Sequence, residues 1–308
     1  MDDRVVPGSV ESDLRALAAA KATAGLTISV CLPARDEART VGAIVSSVRE
    51  VLVDHVGLVD EIVVVDDGST DETARAARDA GAQVVTEAEI LPDAGPGSGK
   101  GNVLWKSLYA TRGDVICWLD ADVRNFGPDF VVGLVAPLVL DPDVLFVKAF
   151  YRRPLGSDPR GGGRVTELVA RPLLSLLFPK AADVMQPLAG EYAGRRSALE
   201  TLPFVQGWGV EFGLLVDIVE RFGRDALVQV DLGVREHRNR PLAELAPQAM
   251  AILTTALRRA GMVDAEEVID LLRFDDDAVE VTAVPIEVRE RPPILTLPEY
   301  SDRFGQPD

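Results

Sequence analysis

The chain has 308 residues, 47% hydrophobic and 26% charged, with 49 Asp and Glu against 32 Lys and Arg and a net charge of −17. This is globular composition and excludes a disordered chain; the acidic balance argues against a general nucleic-acid binder, because a phosphate backbone rewards basic surface. One small phosphorylated ligand remains compatible, met by a few placed cations, and at roughly 150 residues per domain the length fits two domains or one large α/β domain with an appended lobe.

In chain order, the first two dozen residues predict a short amphipathic helix carrying Leu14, Leu17 and Ala18. No basic region followed by an apolar stretch is present there, so no secretory signal is expected. From residue 26 to 151 short β-branched runs alternate with longer helical patterns. Strands are predicted over 26–32, 61–65, 83–86, 115–119 and 145–149, and helices over 40–53, 71–80, 100–111 and 129–138. Runs such as Ile62-Val63-Val64-Val65 are apolar on both faces, which requires a sheet covered on both sides. The reading is therefore a doubly wound, mostly parallel α/β sheet. The longest apolar run, 130–140, contains Pro137 and is far short of the roughly 20 residues that span a bilayer, so no membrane anchor is expected. Cys31 and Cys117 sit in apolar runs without metal or redox spacing and read as small core residues, in keeping with a reducing cytoplasm.

Beyond residue 151 the rhythm changes. A Pro/Gly-rich loop over 154–163 precedes helical patterns over 165–178 and 210–222, a strand over 226–232 and a long helix over 242–259. This half reads as a helical lobe completing a cleft, followed after Asp275 by an extended arm or a disordered end. The resulting division is an N-terminal extension (1–25), a first α/β half (26–151), a second half (152–275) and the arm (276–308).

Ligands of such sheets bind beyond the carboxyl ends of the strands, where the polar clusters fall. Asp66-Asp67-Gly68-Ser69 follows the second strand; Ser69 with Glu72 fits a capping box, and turn chemistry explains Asp-Gly as well as a ligand contact does. Asp120-Ala121-Asp122 is sharper. Its carboxylates have period-two spacing at a strand end, and Mg²⁺ takes one or two carboxylates plus substrate phosphates. Gly95-Pro96-Gly97-Ser98-Gly99-Lys100-Gly101 fails the P-loop pattern, yet a glycine-rich loop with Lys100 at a helix start suits a diphosphate; a flexible connector is the bland alternative. Gly161-Gly162-Gly163 before Arg164 and Thr166 suggests an anion site, since a helix N-terminus disfavours an arginine without an anion. In Arg235-Glu236-His237-Arg238-Asn239-Arg240, His237 offers a neutral metal ligand, against the usual surface histidine in a charge run. Gly207-Trp208-Gly209-Val210-Glu211 opens a helix with an aromatic sugar platform and an early carboxylate, which first-turn electrostatics alone also explains.

With these motifs in hand, Leu32-Pro33-Ala34-Arg35-Asp36-Glu37, Val65-Asp66-Asp67-Gly68-Ser69 and Asp120-Ala121-Asp122 resemble the nucleotide-sugar half of GT-A-fold glycosyltransferases, a Rossmann-like fold. Lys148-Ala149-Phe150-Tyr151-Arg152-Arg153-Pro154, the segment from Gly161 to Pro172, Gly190-Glu191-Tyr192-Ala193 and the segment from Val234 to Pro241 closely resemble the actinobacterial glucosyl-3-phosphoglycerate synthases. The likeness runs from about residue 26 to 250. It implies a retaining, Mg²⁺-dependent transfer of glucose from UDP-glucose to the 2-hydroxyl of 3-phosphoglycerate, with Mn²⁺ or another divalent cation as a substitute, by a homodimer. By the resemblance Pro33, Ala34, Glu37 and Asp67 line the uridine pocket, and Asp120, Ala121 and Lys100 face the donor. Asp122 and His237 hold the metal. Gly163, Arg164, Thr166 and Asn239 cradle the acceptor; Trp208 stands beside it where the family commonly has Tyr. Glu211 sits near the reacting sugar and, with Asp122 and Lys100, makes the catalytic set. The competing readings are mannosyl transfer from GDP-mannose and a non-catalytic nucleotide-sugar-binding regulator.

Overall fold

A computed structural model describes residues 5–7, 14–153, 162–236, 242–264, 268–275 and 280–305. Its elements begin β1 (Val5–Pro7), α1 (Leu14–Ala24), β2 (Ile28–Ala34), α2 (Val41–Val48), β3 (Glu61–Asp66), α3 (Thr73–Asp79), β4 (Gln83–Thr86) and α4 (Gly99–Ala110). There follow β5 (Val115–Trp118), α5 (Asp129–Leu140), β6 (Phe146–Arg152), α6 (Arg171–Leu177), β7 (Tyr192–Arg195), α7 (Arg196–Leu199), β8 (Phe204–Val205) and α8 (Val210–Phe222). The chain closes with β9 (Leu227–Val234), α9 (Leu242–Arg259), β10 (Val268–Asp275), β11 (Glu280–Glu287), β12 (Glu290–Arg291) and α10 (Pro298–Phe304).

Eight strands form one sheet in the order β1-β9-β6-β7-β5-β2-β3-β4. All neighbours are parallel except at β7, which runs antiparallel to both β5 and β6. The double burial read from the apolar runs is explained by the pleat. Along β3, Ile62 and Val64 join the core under α1, α2, α3 and α5, while Val63 and Val65 join the opposite core under α4, α6, α8 and α10. On β5, Val115 and Cys117 face one core and Ile116 and Trp118 the other. Cys31 and Cys117 are fully buried, and burial pushes the Cys31 thiol up to about 12, so both act as packing residues.

Three features depart from the expectations. The second half is less purely helical than expected, because β7 joins the sheet of the first half alongside β9, the strand predicted over 226–232. Val5–Pro7 adds an edge strand where only a helix was expected nearby. The C-terminal arm is organised: β10 and β11 form a hairpin, β12 pairs with β8, and Ile294 and Tyr300 are fully buried. Arg196 anchors this end, donating to Tyr300 Oη at 3.0 Å and to the carbonyls of Leu108 and Gly113.

Candidate active site

The carboxyl ends of β2, β3 and β5 open into a cleft of about 510 Å³, closed from the other side by the start of α8, the turn before α6 and the face of α9 carrying Leu245, Gln248 and Ile252. Pro33, Ala34, Glu37, Asp67, Lys100, Asp120, Ala121, Asp122, Gly163, Arg164, Thr166, Trp208 and Glu211 all line it. His237 and Asn239 lie outside the described residues.

The floor starts at the β2–β3 edge. Asp36 takes a left-handed φ of 56°, which Asp and Asn tolerate, and its carboxylate accepts the Thr70 N–H at 2.7 Å. Glu37 follows, its backbone N–H bound to Thr73 Oγ1 at 2.7 Å. The expected Ser69–Glu72 capping box is not formed. Ser69 Oγ instead accepts from the Asp36 N–H at 3.1 Å, Asp71 receives the Thr73 N–H at 2.9 Å, and Glu72 pairs with Arg75. The two turns are thereby bonded to each other, which fixes Asp67 beside Ala34 (Asp67 N–H to Ala34 O, 2.9 Å). Burial raises the Asp67 carboxyl, opposed by Arg35.

The glycine-rich loop is tightly packed rather than a loose connector. Gly99 has φ +72°, and a Cβ there would lie 2.7 Å from Gly207 Cα; one on Gly101 would lie 1.8 Å from the Val205 carbonyl oxygen. Two glycine turns thus pack back to back, bringing Lys100, Trp208 and Glu211 onto one wall. Lys100 Nζ sits 2.5 Å from Asp120 Oδ1 and 2.8 Å from Glu211 Oε1. Burial opposes its charge, but the two carboxylates overcome this and hold the ammonium well above the ordinary lysine value.

Behind the DxD pair lies a group that the sequence reading left out. Arg235 Nη2 donates to Asp120 Oδ2 at 2.7 Å and to Asp122 Oδ1 at 2.9 Å. Its Nε lies 2.8 Å from Glu191 Oε1, close enough for an ion contact but outside hydrogen-bond geometry, so both atoms keep unused bonding capacity. Glu191 Oε2 accepts from Tyr151 Oη, which in turn accepts from Arg153 Nη2. Gly190 completes the arrangement, since a Cβ there would meet Asp120 Oδ2 at 2.0 Å. Arg235, Arg153 and Gly190 lay within motifs singled out above, but nothing local in the sequence marks a strand-end arginine as buried.

Direct ion contacts join four carboxylates (Asp120, Asp122, Glu191, Glu211) to two cations (Lys100, Arg235). The excess is negative, and the titration directions follow it. Burial works against the Asp120 charge, yet Lys100 and Arg235 hold its carboxyl below the usual range, whereas burial and then Asp120 raise Asp122. A hard divalent cation would suit that deficit, and Asp122, at 31% side-chain exposure, is the carboxylate of the pair that could offer it an oxygen. Among the described residues no group of three His, Cys, Asp or Glu side chains is arranged to hold a metal ion. On the facing wall Gly163 (φ +75°) leads into Arg164 and Thr166, and Thr166 is buried at the start of a π-type turn that runs into α6. Arg153 and Arg164 put positive charge on the cleft lining beside this turn, apart from the carboxylates that engage Lys100 and Arg235.

The model for glycosyl transferase family 2 matches residues 29–202. The glucosyl-3-phosphoglycerate synthase of Mycolicibacterium smegmatis is 49% identical over 280 residues, covering 90% of this chain and 91% of that one. The chain belongs to the glucosyl-3-phosphoglycerate synthase family. A crystal structure of the Mycobacterium tuberculosis member with Mn²⁺, UDP-glucose and phosphoglyceric acid is 47% identical, with a TM-score of 0.82, and covers 90% of this chain and 93% of that one. Another, with Mg²⁺ and UDP, is 44% identical, with a TM-score of 0.86 and coverage of 95% and 98%. The chain is thus a metal-dependent glycosyltransferase of the synthase family on a GT-A fold, and it spans nearly the full length of these relatives.

Proposed function

We propose that this chain transfers glucose from UDP-glucose to the 2-hydroxyl of 3-phosphoglycerate with retention of configuration, using Mg²⁺ or Mn²⁺. The observation that carries the reading is the convergence, in one cleft of a family member, of the Asp120/Asp122 pair, the Lys100–Glu211 wall and the Gly163-Arg164-Thr166 turn. The relatives compared are glucosyl enzymes, so the mannosyl reading is not favoured.

In this reading residues 26–151 hold the donor and 152–275 the acceptor. Pro33, Ala34, Glu37 and Asp67 receive the uridine; Arg164 and Thr166, with Asn239, take the acceptor's phosphate and carboxylate. A divalent cation on Asp122, with His237, supplies charge neutralisation for the diphosphate leaving group. Lys100 stays protonated across the working pH range and faces the same leaving group, adding preorganised positive charge where negative charge develops. Glu211 is bound to Lys100 and is 7% exposed, which makes it an orienting carboxylate and favours front-face attack, the leaving phosphate taking the acceptor proton, over a covalent glycosyl-Glu211 intermediate. No described helix is long and apolar enough to cross a membrane. From the two buried free cysteines and the family resemblance we infer a cytoplasmic enzyme that works as a homodimer through its C-terminal helices and arm. The test is proton NMR of the product made from UDP-glucose and 3-phosphoglycerate. An α-glucoside is expected, and a β-glucoside would overturn the retaining assignment.

A further inference from the structure

The glycine-rich loop leading to Lys100 is held from the opposite end of the chain. Arg291 on β12 is 6% exposed, and its guanidinium donates from Nη1 to Ala94 O at 2.6 Å, from Nη2 to Gly95 O at 2.9 Å and from Nε to Asn102 Oδ1 at 2.8 Å. One planar fork therefore grips the loop at its start and again on the first turn of α4, with Lys100 between the grips. The guanidinium lies over the Trp105 ring at 5.0 Å, and Trp105 Nε1 donates back to Pro292 O at 2.8 Å. The loop fits closely beneath: a Cβ on Gly97 would come within 2.3 Å of Arg291 Nη2. Beside it Gln206 bridges the strap and the loop, its N–H on Arg289 O at 2.8 Å and its Oε1 accepting the Ser98 N–H at 2.9 Å.

This is a costly segment to order. Gly95, Gly97, Gly99 and Gly101 are four glycines in seven residues, and glycine loses the most backbone freedom on folding. Among the described residues no carboxylate lies within ion-pair distance of Arg291, so its donors serve the loop rather than a partner acid. The hydrogen bonds and ring contact of its guanidinium all fall on residues 94–105, on the donor side, and none touches the Gly163–Thr166 turn.

We propose that Arg291 is a positioning residue for the donor: it fixes the glycine-rich loop so that Lys100 and the loop's N–H groups meet the diphosphate of a nucleotide sugar in one arrangement. The identity of that ligand rests on the function proposed above. The test compares the wild type with Arg291→Met and Arg291→Lys in three readings: KM for UDP-glucose and for 3-phosphoglycerate, calorimetric affinity for UDP with Mg²⁺, and melting temperature. Arg291→Met is expected to raise the donor KM and weaken UDP binding by about ten-fold, as loss of charge-assisted hydrogen bonds should, leaving the acceptor KM within about two-fold. Arg291→Lys keeps charge and bulk and should recover part of the loss. Should the methionine variant not fold, the lysine variant alone must show the same one-sided shift. Equal rises in both KM values, or a lower melting temperature with donor KM and UDP affinity unchanged, would make Arg291 merely structural. Wild-type inactivity with this substrate pair would contradict the proposed function instead, and the UDP affinities would still decide the role of Arg291.

Discussion

Asp122 and Lys148 are two charges that the fold holds at a cost, one facing the cleft and one in the core. Asp122 is penalised by burial and by Asp120, which Arg235, Lys100 and a backbone hydrogen bond offset only in part, so its charge is held at a cost to the fold. Asp122→Ala is expected to cut UDP release by about 10³-fold or more without lowering the melting temperature, which paired activity and thermal unfolding measurements check. Lys148 is 1% exposed; its Nζ donates to Ala189 O at 2.7 Å and lies 4.2 Å from the centre of the Tyr192 ring, and burial pushes it down to about 7. The unfolded chain keeps that proton up to about pH 10. Between these values the unfolded state binds more protons, so stability rises with pH as the folded protein sheds a charge that it holds at a cost. Urea unfolding at several pH values should therefore show wild type gaining stability above about pH 7 relative to Lys148→Met. Parallel profiles would show that Lys148 does not titrate in that window.

At the scale of elements, the strands that carry chemistry were legible, as were β4, β6 and β9, whereas β1 and β7, which complete the sheet, were not. β2, β3 and β5 announce themselves because both faces are covered, which favours near-continuous apolar runs such as Ile62-Val63-Val64-Val65. Tyr192-Ala193-Gly194-Arg195 has no β-branched run; it becomes β7 because β5 and β6 each offer it a free edge. The site divides in the same way. Acids at strand ends could be read, since topology sends strand ends to the cleft. Arg235 could not, because its burial depends on carboxylates from Asp120, Asp122 and Glu191, brought together only by the sheet order. Arg291 has no local signal at all, its loop partners lying 189 to 197 residues away. Gly190, at the entry to β7, tests how closely that strand is fitted to the site. Gly190→Ala should push Asp120 off its partners and cost activity by about 10²-fold while the sheet persists, as kinetics with circular dichroism would report. Wild-type kinetics would mean that the contact relaxes freely.

The whole molecule sets an anion-binding cleft into a chain of net charge −17 and lets both ends of that chain build it. The first half supplies Glu37, Asp67, Asp120 and Asp122, the second half supplies Arg153, Arg164, Glu211 and Arg235, and the C-terminal strap holds the loop that bears Lys100. A regulator that only bound a nucleotide sugar would need the donor wall alone, whereas here the Gly163-Arg164-Thr166 turn faces it across the same space. The most direct test is UDP release from UDP-glucose with Mg²⁺, with and without 3-phosphoglycerate, and with GDP-mannose run in parallel. Strong release only when UDP-glucose and 3-phosphoglycerate are both present is the predicted result; no acceptor-dependent release from that pair, or turnover with GDP-mannose in its place, would contradict it.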